Sequence, residues 1–159
     1  MVNATDILAV LAGTYTLLNT SATNNGVPVP DKTYGENPVG ILTYSKSGYV
    51  SATLTSTNPE DRPANLTFPY EDGQSDADWA KVGRHSIGYA GRLQISDAFP
   101  ATLTAGQVIH GPLTVANVPS MVGTSARRNY TLFEDGKILL ISSQRDGGNR
   151  GELWWRRLD

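Results

Sequence analysis

The chain has 159 residues and a mass of 17.1 kDa, the size of one ordinary domain, and its 39% hydrophobic content can support a core without metal or disulfide staples. Cysteine is absent, which excludes disulfides, thiol catalysis and Cys-ligated zinc or iron–sulfur centres, and fits a reducing compartment, so the cytoplasm is the expected location. With 13 basic residues against 15 acidic ones and a net charge of −2, no basic excess is available to neutralise a phosphate backbone, and nucleic acid is not an expected partner.

The first apolar run, residues 7–12, follows Thr5 and Asp6, either of which can cap a short helix. It has no Lys or Arg before it and falls far short of the roughly 18 residues of a membrane span, so neither a leader nor a membrane partner is expected. Asn-x-Ser/Thr matches at Asn3, Asn19, Asn65 and Asn129 are read as chance matches in a Ser- and Thr-rich chain. From residue 13 onward, short runs rich in Thr, Val, Ile, Leu and Tyr are cut by Gly, Pro, Asn and Asp, which is the rhythm of strands and turns. The expected strands are 13–20, 39–45, 49–55, 90–96, 107–116, 125–133, 137–143 and 151–158. Lys46-Ser47-Gly48 supplies the clearest hairpin connection, with Gly placed for positive φ. Residues 21–38 and 56–73 read as loops, the second long enough to be a lid. One helix is expected over about 75–88, between the third and fourth strands, with Ser75 as cap, Asp78 completing a capping-box variant, and Trp79, Val82 and Ser86 at helical spacing; Gly83 and Gly88 weaken it. Eight antiparallel strands with short hairpins make an all-β, up-and-down barrel the expected fold, or a sandwich with covered edges. A barrel of that size either fills with its own side chains or encloses one small ligand.

Specific blocks go beyond rhythm. LAGTYTLLNTS (11–21), YGENPVGILTYSKSGYVSATL (34–54), YAGRLQI (89–95), VIHGPLTVANVPSMVGTSARRNYTL (108–132) and ELWWRR (152–157) resemble the lipocalin-like domain proteins of bacteria and filamentous fungi. The likeness spans nearly the whole chain and makes residues 1–159 one lipocalin-like domain. Gly13-Thr14-Tyr15 stands where that family commonly has Gly-Thr-Trp, so the base-closing role of the tryptophan falls to Tyr15. The resemblance implies a ligand-holding barrel, in fungi often linked to secondary-metabolite pathways, where some barrels of this general type act as cofactor-free cyclases or isomerases.

His110, in the most specific block, is the candidate for proton transfer; the alternative is a histidine that only makes a hydrogen bond inside the wall. His85, beside Arg84 on the expected helix, reads as solvent-facing. Arg128 shares strand parity with Tyr130 and Leu132, so it can bind a ligand carboxylate or enolate, or latch to an internal Asp or Glu. Pro112 marks an edge or bulge that flips the parity after it, and whether His110 and Arg128 share a cavity stays open. The aromatic residues Tyr15, Tyr44, Tyr49, Trp79, Tyr89, Tyr130, Trp154 and Trp155 are mostly core, with Tyr44, Tyr49, Trp79, Tyr89, Tyr130 and Trp154 taken as candidate ligand contacts. Ser51 and Thr53 join them if the polar side of their strand faces inward; the same alternation also describes a strand whose polar side meets water. No metal-ligand spacing, phosphate loop, dinucleotide fingerprint or nucleophile elbow occurs, so no cofactor and no metal are expected.

The function expected is binding of one small, largely apolar, polyketide- or terpenoid-like metabolite with cofactor-free cyclisation, isomerisation or elimination of it. The alternatives are a passive carrier with the same pocket, and a filled barrel acting as a structural module. A homodimer is left open.

Overall fold

In the hairpin of residues 39–55, strict alternation decides which side is core. The computed structural model describes residues 2–159. After helix α1 (Ala4–Leu11) come strands β1 (Gly13–Asn24), β2 (Val27–Val29), β3 (Val39–Tyr44) and β4 (Tyr49–Thr55), helix α2 (Asp76–Arg84), and strands β5 (Ser86–Ile95), β6 (Ala105–Ala116), β7 (Ala126–Phe133), β8 (Ile138–Gln144) and β9 (Asn149–Arg157). Each strand from β3 onward pairs antiparallel with the next, and β1 pairs with both β3 and β9, closing an eight-stranded barrel. The short β2 adds to β1 beyond the barrel rim. Closure leaves no open edge among the eight.

On β4 the buried residues are Val50, Ala52 and Leu54, while Tyr49, Ser51 and Thr53 are exposed. The polar side therefore meets water and the interior is apolar, which corrects the inward placement of Ser51 and Thr53: the low-cost partner for a row of hydroxyls is solvent. Tyr15 and Leu17 of β1, Leu42 and Tyr44 of β3, Leu93 of β5, Val108, His110 and Leu113 of β6, Tyr130 and Leu132 of β7, Leu139 and Ile141 of β8 and Trp155 of β9 are buried with them. Gly48 turns the hairpin at φ +85°, its amide donating to Ser45 O at 3.1 Å.

One end of the barrel is closed. Asn3 caps α1 by accepting from the Asp6 amide at 2.9 Å, and the helix buries Ile7 and Leu11 against the barrel. Arg157 donates to the carbonyls of Val10, Ala12 and Gly136 and lies over the Tyr15 ring, 4.8 Å from its centroid. The Tyr15 hydroxyl donates to Leu11 O at 2.7 Å. Tyr15 thus joins helix, strand and arginine at the base.

Helix α2 begins as its cap dictates, with the Asp78 amide donating to Ser75 Oγ at 3.1 Å, but it ends at Arg84. Residues 86–88, read from spacing as the last helical turn, instead start β5, because Ser86, Ile87 and Gly88 pair with β4. Ladder bonds and burial outweigh a weak, glycine-containing helical preference.

Candidate ligand-binding cavity

The β5–β6 ladder explains how the interior acquires polar groups. Gly91 pairs with Leu113 and Leu93 pairs with His110, so Gly111 and Pro112 together oppose only Arg92. The extra residue is a bulge that follows His110, leaving its parity with Val108 intact and bringing Leu113 into the buried set. Gly91 is required there: a Cβ would meet Leu113 Cα at 2.6 Å and Pro112 O at 2.7 Å. Across the β6–β7 ladder Val108 pairs with Arg128, so His110 and Arg128 face the same interior.

They meet in a cavity of about 280 Å³ at the end of the barrel opposite α1. Its walls are Leu42, Leu54, Ile87, Ile141, Leu153 and Trp155, and its polar lining is Tyr34, Tyr89, His110, Arg128, Ser143 and Arg145, with Met121 completing it. An adjoining surface groove of about 430 Å³ shares Tyr34, Ser143, Arg145 and Leu153 with it, giving the cavity a path outward. No residue of 56–73 lines the cavity, so that loop is not its lid; residues from the 30–38, 117–125 and 145–148 connections stand at the mouth instead.

The imidazole of His110 is held by two tyrosines. Tyr44 Oη lies 2.7 Å from Nε2 and Tyr89 Oη 3.1 Å from Nδ1. Burial, reinforced by the Arg128 charge, lowers the His110 pKa to about 3, so the ring is neutral and has one donor and one acceptor nitrogen. Tyr44 is 1% exposed and its hydroxyl has no other acceptor, so it must donate to Nε2. Nδ1–H then donates to the Tyr89 oxygen, which leaves the Tyr89 O–H uncommitted at the cavity wall. Burial raises the pKa of both phenols, and for Tyr89 the Arg128 guanidinium opposes the rise. The histidine orients and polarises Tyr89.

Arg128 is half-buried and makes one hydrogen bond, Nη1 donating to Arg127 O at 2.8 Å. No carboxylate pairs with it, which corrects the internal latch: among the described residues the acid–base side-chain contacts are Lys81–Asp78, His85–Asp61 and Arg150–Glu152. Burial lowers its pKa, and the nearby Arg145 adds to that, partly offset by the phenols of Tyr89 and Tyr44.

Of the other expected contacts, Tyr89 lines the cavity and Tyr44 lies behind His110. Tyr49 is outside, with Arg92 5.0 Å above its ring. Trp79 packs on Tyr70 and donates to Gln74 at 3.1 Å, because α2 lies outside the barrel. Tyr130 is core at the closed end, donating to Thr102 O at 2.6 Å. Trp154 stacks on Phe133 on the outer face, so strand alternation gives the wall position to Trp155. His85 is not simply solvent-facing: its Nδ1 donates to Thr33 O at 2.8 Å and its Nε2 lies 3.3 Å from Asp61, tying down the loop that carries Tyr34.

Tyr34 and Arg145 were not anticipated. Arg145 continues the inward parity of Leu139, Ile141 and Ser143 one step past β8, and that signal was available; Tyr34 sits in an irregular loop where no periodicity applies.

The structure is a closed antiparallel barrel with a base-sealing helix and an internal cavity of the size that can hold a small molecule. The chain belongs to the lipocalin-like domain family, whose family model matches residues 12–158. Among solved structures, a redesigned β-barrel is similar at 12% identity with a TM-score of 0.42, covering 97% of this chain and 96% of that one. Among curated proteins, none matches. Among the described residues, no helix is long and apolar enough to cross a membrane.

Proposed function

We propose that the barrel binds one small, largely apolar metabolite, polyketide- or terpenoid-like, and promotes its cofactor-free cyclisation, isomerisation or elimination. The observation that carries this reading is the Tyr44–His110–Tyr89 chain ending at an apolar cavity beside Arg128. Such reactions move protons and bonds within one molecule without net redox change, so confinement, a polarised donor and a cation near the developing charge are the groups they need. Tyr89 is the donor in this scheme, His110 its positioning residue, and Arg128 the group that stabilises negative charge.

Passive carriage has one observation in its favour: the cavity lining contains no carboxylate to act as a base partner. The two readings separate in one experiment. A Tyr89→Phe variant keeps the cavity but lacks the donor, so it should retain unconverted substrate, which can be extracted and returned to the wild-type protein. Conversion to an isomer or an elimination product supports the enzyme; recovery of unchanged compound assigns the barrel to carriage.

A further inference from the structure

The polar groups of the cavity are unbalanced in charge and in hydrogen-bond sense. Two guanidiniums, Arg128 and Arg145, reach the lining, and no Asp or Glu does. Neither arginine belongs to an ion pair among the described residues. The nearest acids are already spent. In the adjoining groove Asp31 accepts from the amides of Thr33 and Tyr34 at 2.9 and 3.0 Å and from the Thr20 hydroxyl at 3.1 Å, while Glu152 accepts from Arg150 at 3.1 Å. Tyr89 presents a hydrogen rather than a lone pair, because its oxygen already accepts from His110. Trp155, a wall residue, has a buried indole N–H with no acceptor among the described residues. The polar end of this cavity therefore carries an excess of positive charge with no carboxylate to match it; its other polar groups, among them the Tyr34, Tyr89 and Ser143 hydroxyls, are neutral.

Two cations held near each other without an acid repel, and a half-buried guanidinium with one backbone bond leaves most of its five donors unused. Both costs are relieved by a planar anion that accepts through two oxygens, the geometry the guanidinium fork matches best. The apolar part of the lining, Leu42, Leu54, Ile87 and Ile141 among it, accepts only apolar surface. At about 280 Å³ the space lies near the lower end of the roughly 300–1,000 Å³ range of ligand pockets, so the apolar body is small, on the scale of two fused rings.

We propose that the ligand of this barrel is an apolar molecule bearing one planar, delocalised oxyanion, a carboxylate or a stabilised enolate, which Arg128 and Arg145 bind at the mouth end while the Tyr89 hydroxyl donates to it. The inference rests on the cavity being the binding site and deepens that reading by fixing the charge and chemistry of what enters.

A matched probe pair tests it: 2-naphthoate, which carries the carboxylate, and 2-naphthamide, which has the same shape without charge, titrated into the full chain by calorimetry at pH 7. The expected result is naphthoate binding at least about tenfold tighter than the amide. Charge-assisted hydrogen bonds of ordinary strength correspond to a loss of roughly 10- to 100-fold for naphthoate in Arg128→Gln and a smaller loss in Arg145→Gln, with the amide changing less than about threefold. Arg145 is exposed, so Arg145→Gln keeps the fold and carries the test if Arg128→Gln does not fold. Equal affinity for the two probes, or a naphthoate preference that survives both substitutions, overturns the anion inference while the binding barrel stands. Failure of both probes to bind up to millimolar concentration overturns both.

Discussion

Tyr44 Oη lies 2.7 Å from His110 Nε2 with both side chains buried, and this contact sets the direction of the whole polar chain at the cavity. A phenol with no other acceptor must donate, so the histidine must accept on that side and donate on the other. Tyr44→Phe should therefore leave an unpaired ring nitrogen in the core and destabilise the protein by about 1–3 kcal/mol. Tyr89→Phe removes a hydroxyl at the cavity wall, where water can take its place, and should cost less than about 1 kcal/mol. Urea unfolding of the two variants checks the order; equal losses would contradict the assigned direction.

The same burial predicts a pH dependence. His110 titrates at about 3 in the fold against an ordinary 6.5, so below pH 6.5 the unfolded chain takes up a proton that the native chain refuses. Stability present at pH 7 is lost as pH falls toward the folded value, at about 1.4 kcal/mol per pH unit, or about 2 kcal/mol by pH 5. Denaturation of wild type and His110→Gln at pH 7 and pH 5 isolates the effect, since glutamine does not titrate. The wild type should lose more stability than the variant by about that amount, and parallel losses would remove His110 as the source.

At the closed end, Arg157 serves three carbonyls and the Tyr15 ring. Arg157→Met keeps much of the apolar stem and removes the donors, leaving Val10, Ala12 and Gly136 carbonyls without their partner. The melting temperature should fall, by an amount corresponding to roughly 2–4 kcal/mol, while naphthoate affinity stays within about twofold because the cavity lies at the other end. A loss of binding equal to that of Arg128→Gln would mean that the base and the cavity are coupled.

The mouth loop offers a further check. His85 joins Thr33 to Asp61, and Asp61 in turn accepts from the Ser56 hydroxyl at 2.7 Å, so the loop carrying Tyr34 is fastened to the β4–α2 connection. His85→Ala should leave global stability within about 1 kcal/mol but raise hydrogen exchange at Thr33 and Tyr34 and speed ligand release. Unchanged exchange in the 31–35 segment would show that the clasp does not hold the mouth.

What the sequence made legible follows the periodicity of the side chains. The eight barrel strands, the Gly48 hairpin and the Ser75 cap depend on local pattern and are read from it, but residues 21–38, whose Asn, Gly and Pro content reads as loop, carry the end of β1 to Asn24 and the short β2, because ladder pairing overrides composition there. The faces were harder: Ser51 and Thr53 alternate with Val50, Ala52 and Leu54 in a way that is symmetric until burial breaks the tie, and Trp154 and Trp155 are exchanged by one step of register. His110 and Arg128 share an interior only because the bulge at Pro112 falls after His110 and not before it, a fact of pairing rather than of composition. Tyr34 reaches the cavity through a loop fastened by Asp31 and His85, contacts that no spacing rule encodes.

The central claim is that the cavity holds one small molecule, and native mass spectrometry of the freshly purified chain tests it most directly. The wild type should carry a single adduct of roughly a few hundred daltons, absent from an Ile87→Trp variant whose indole occupies the same space. A spectrum of the bare chain alone, in a preparation that also fails to take up 2-naphthoate, would contradict it.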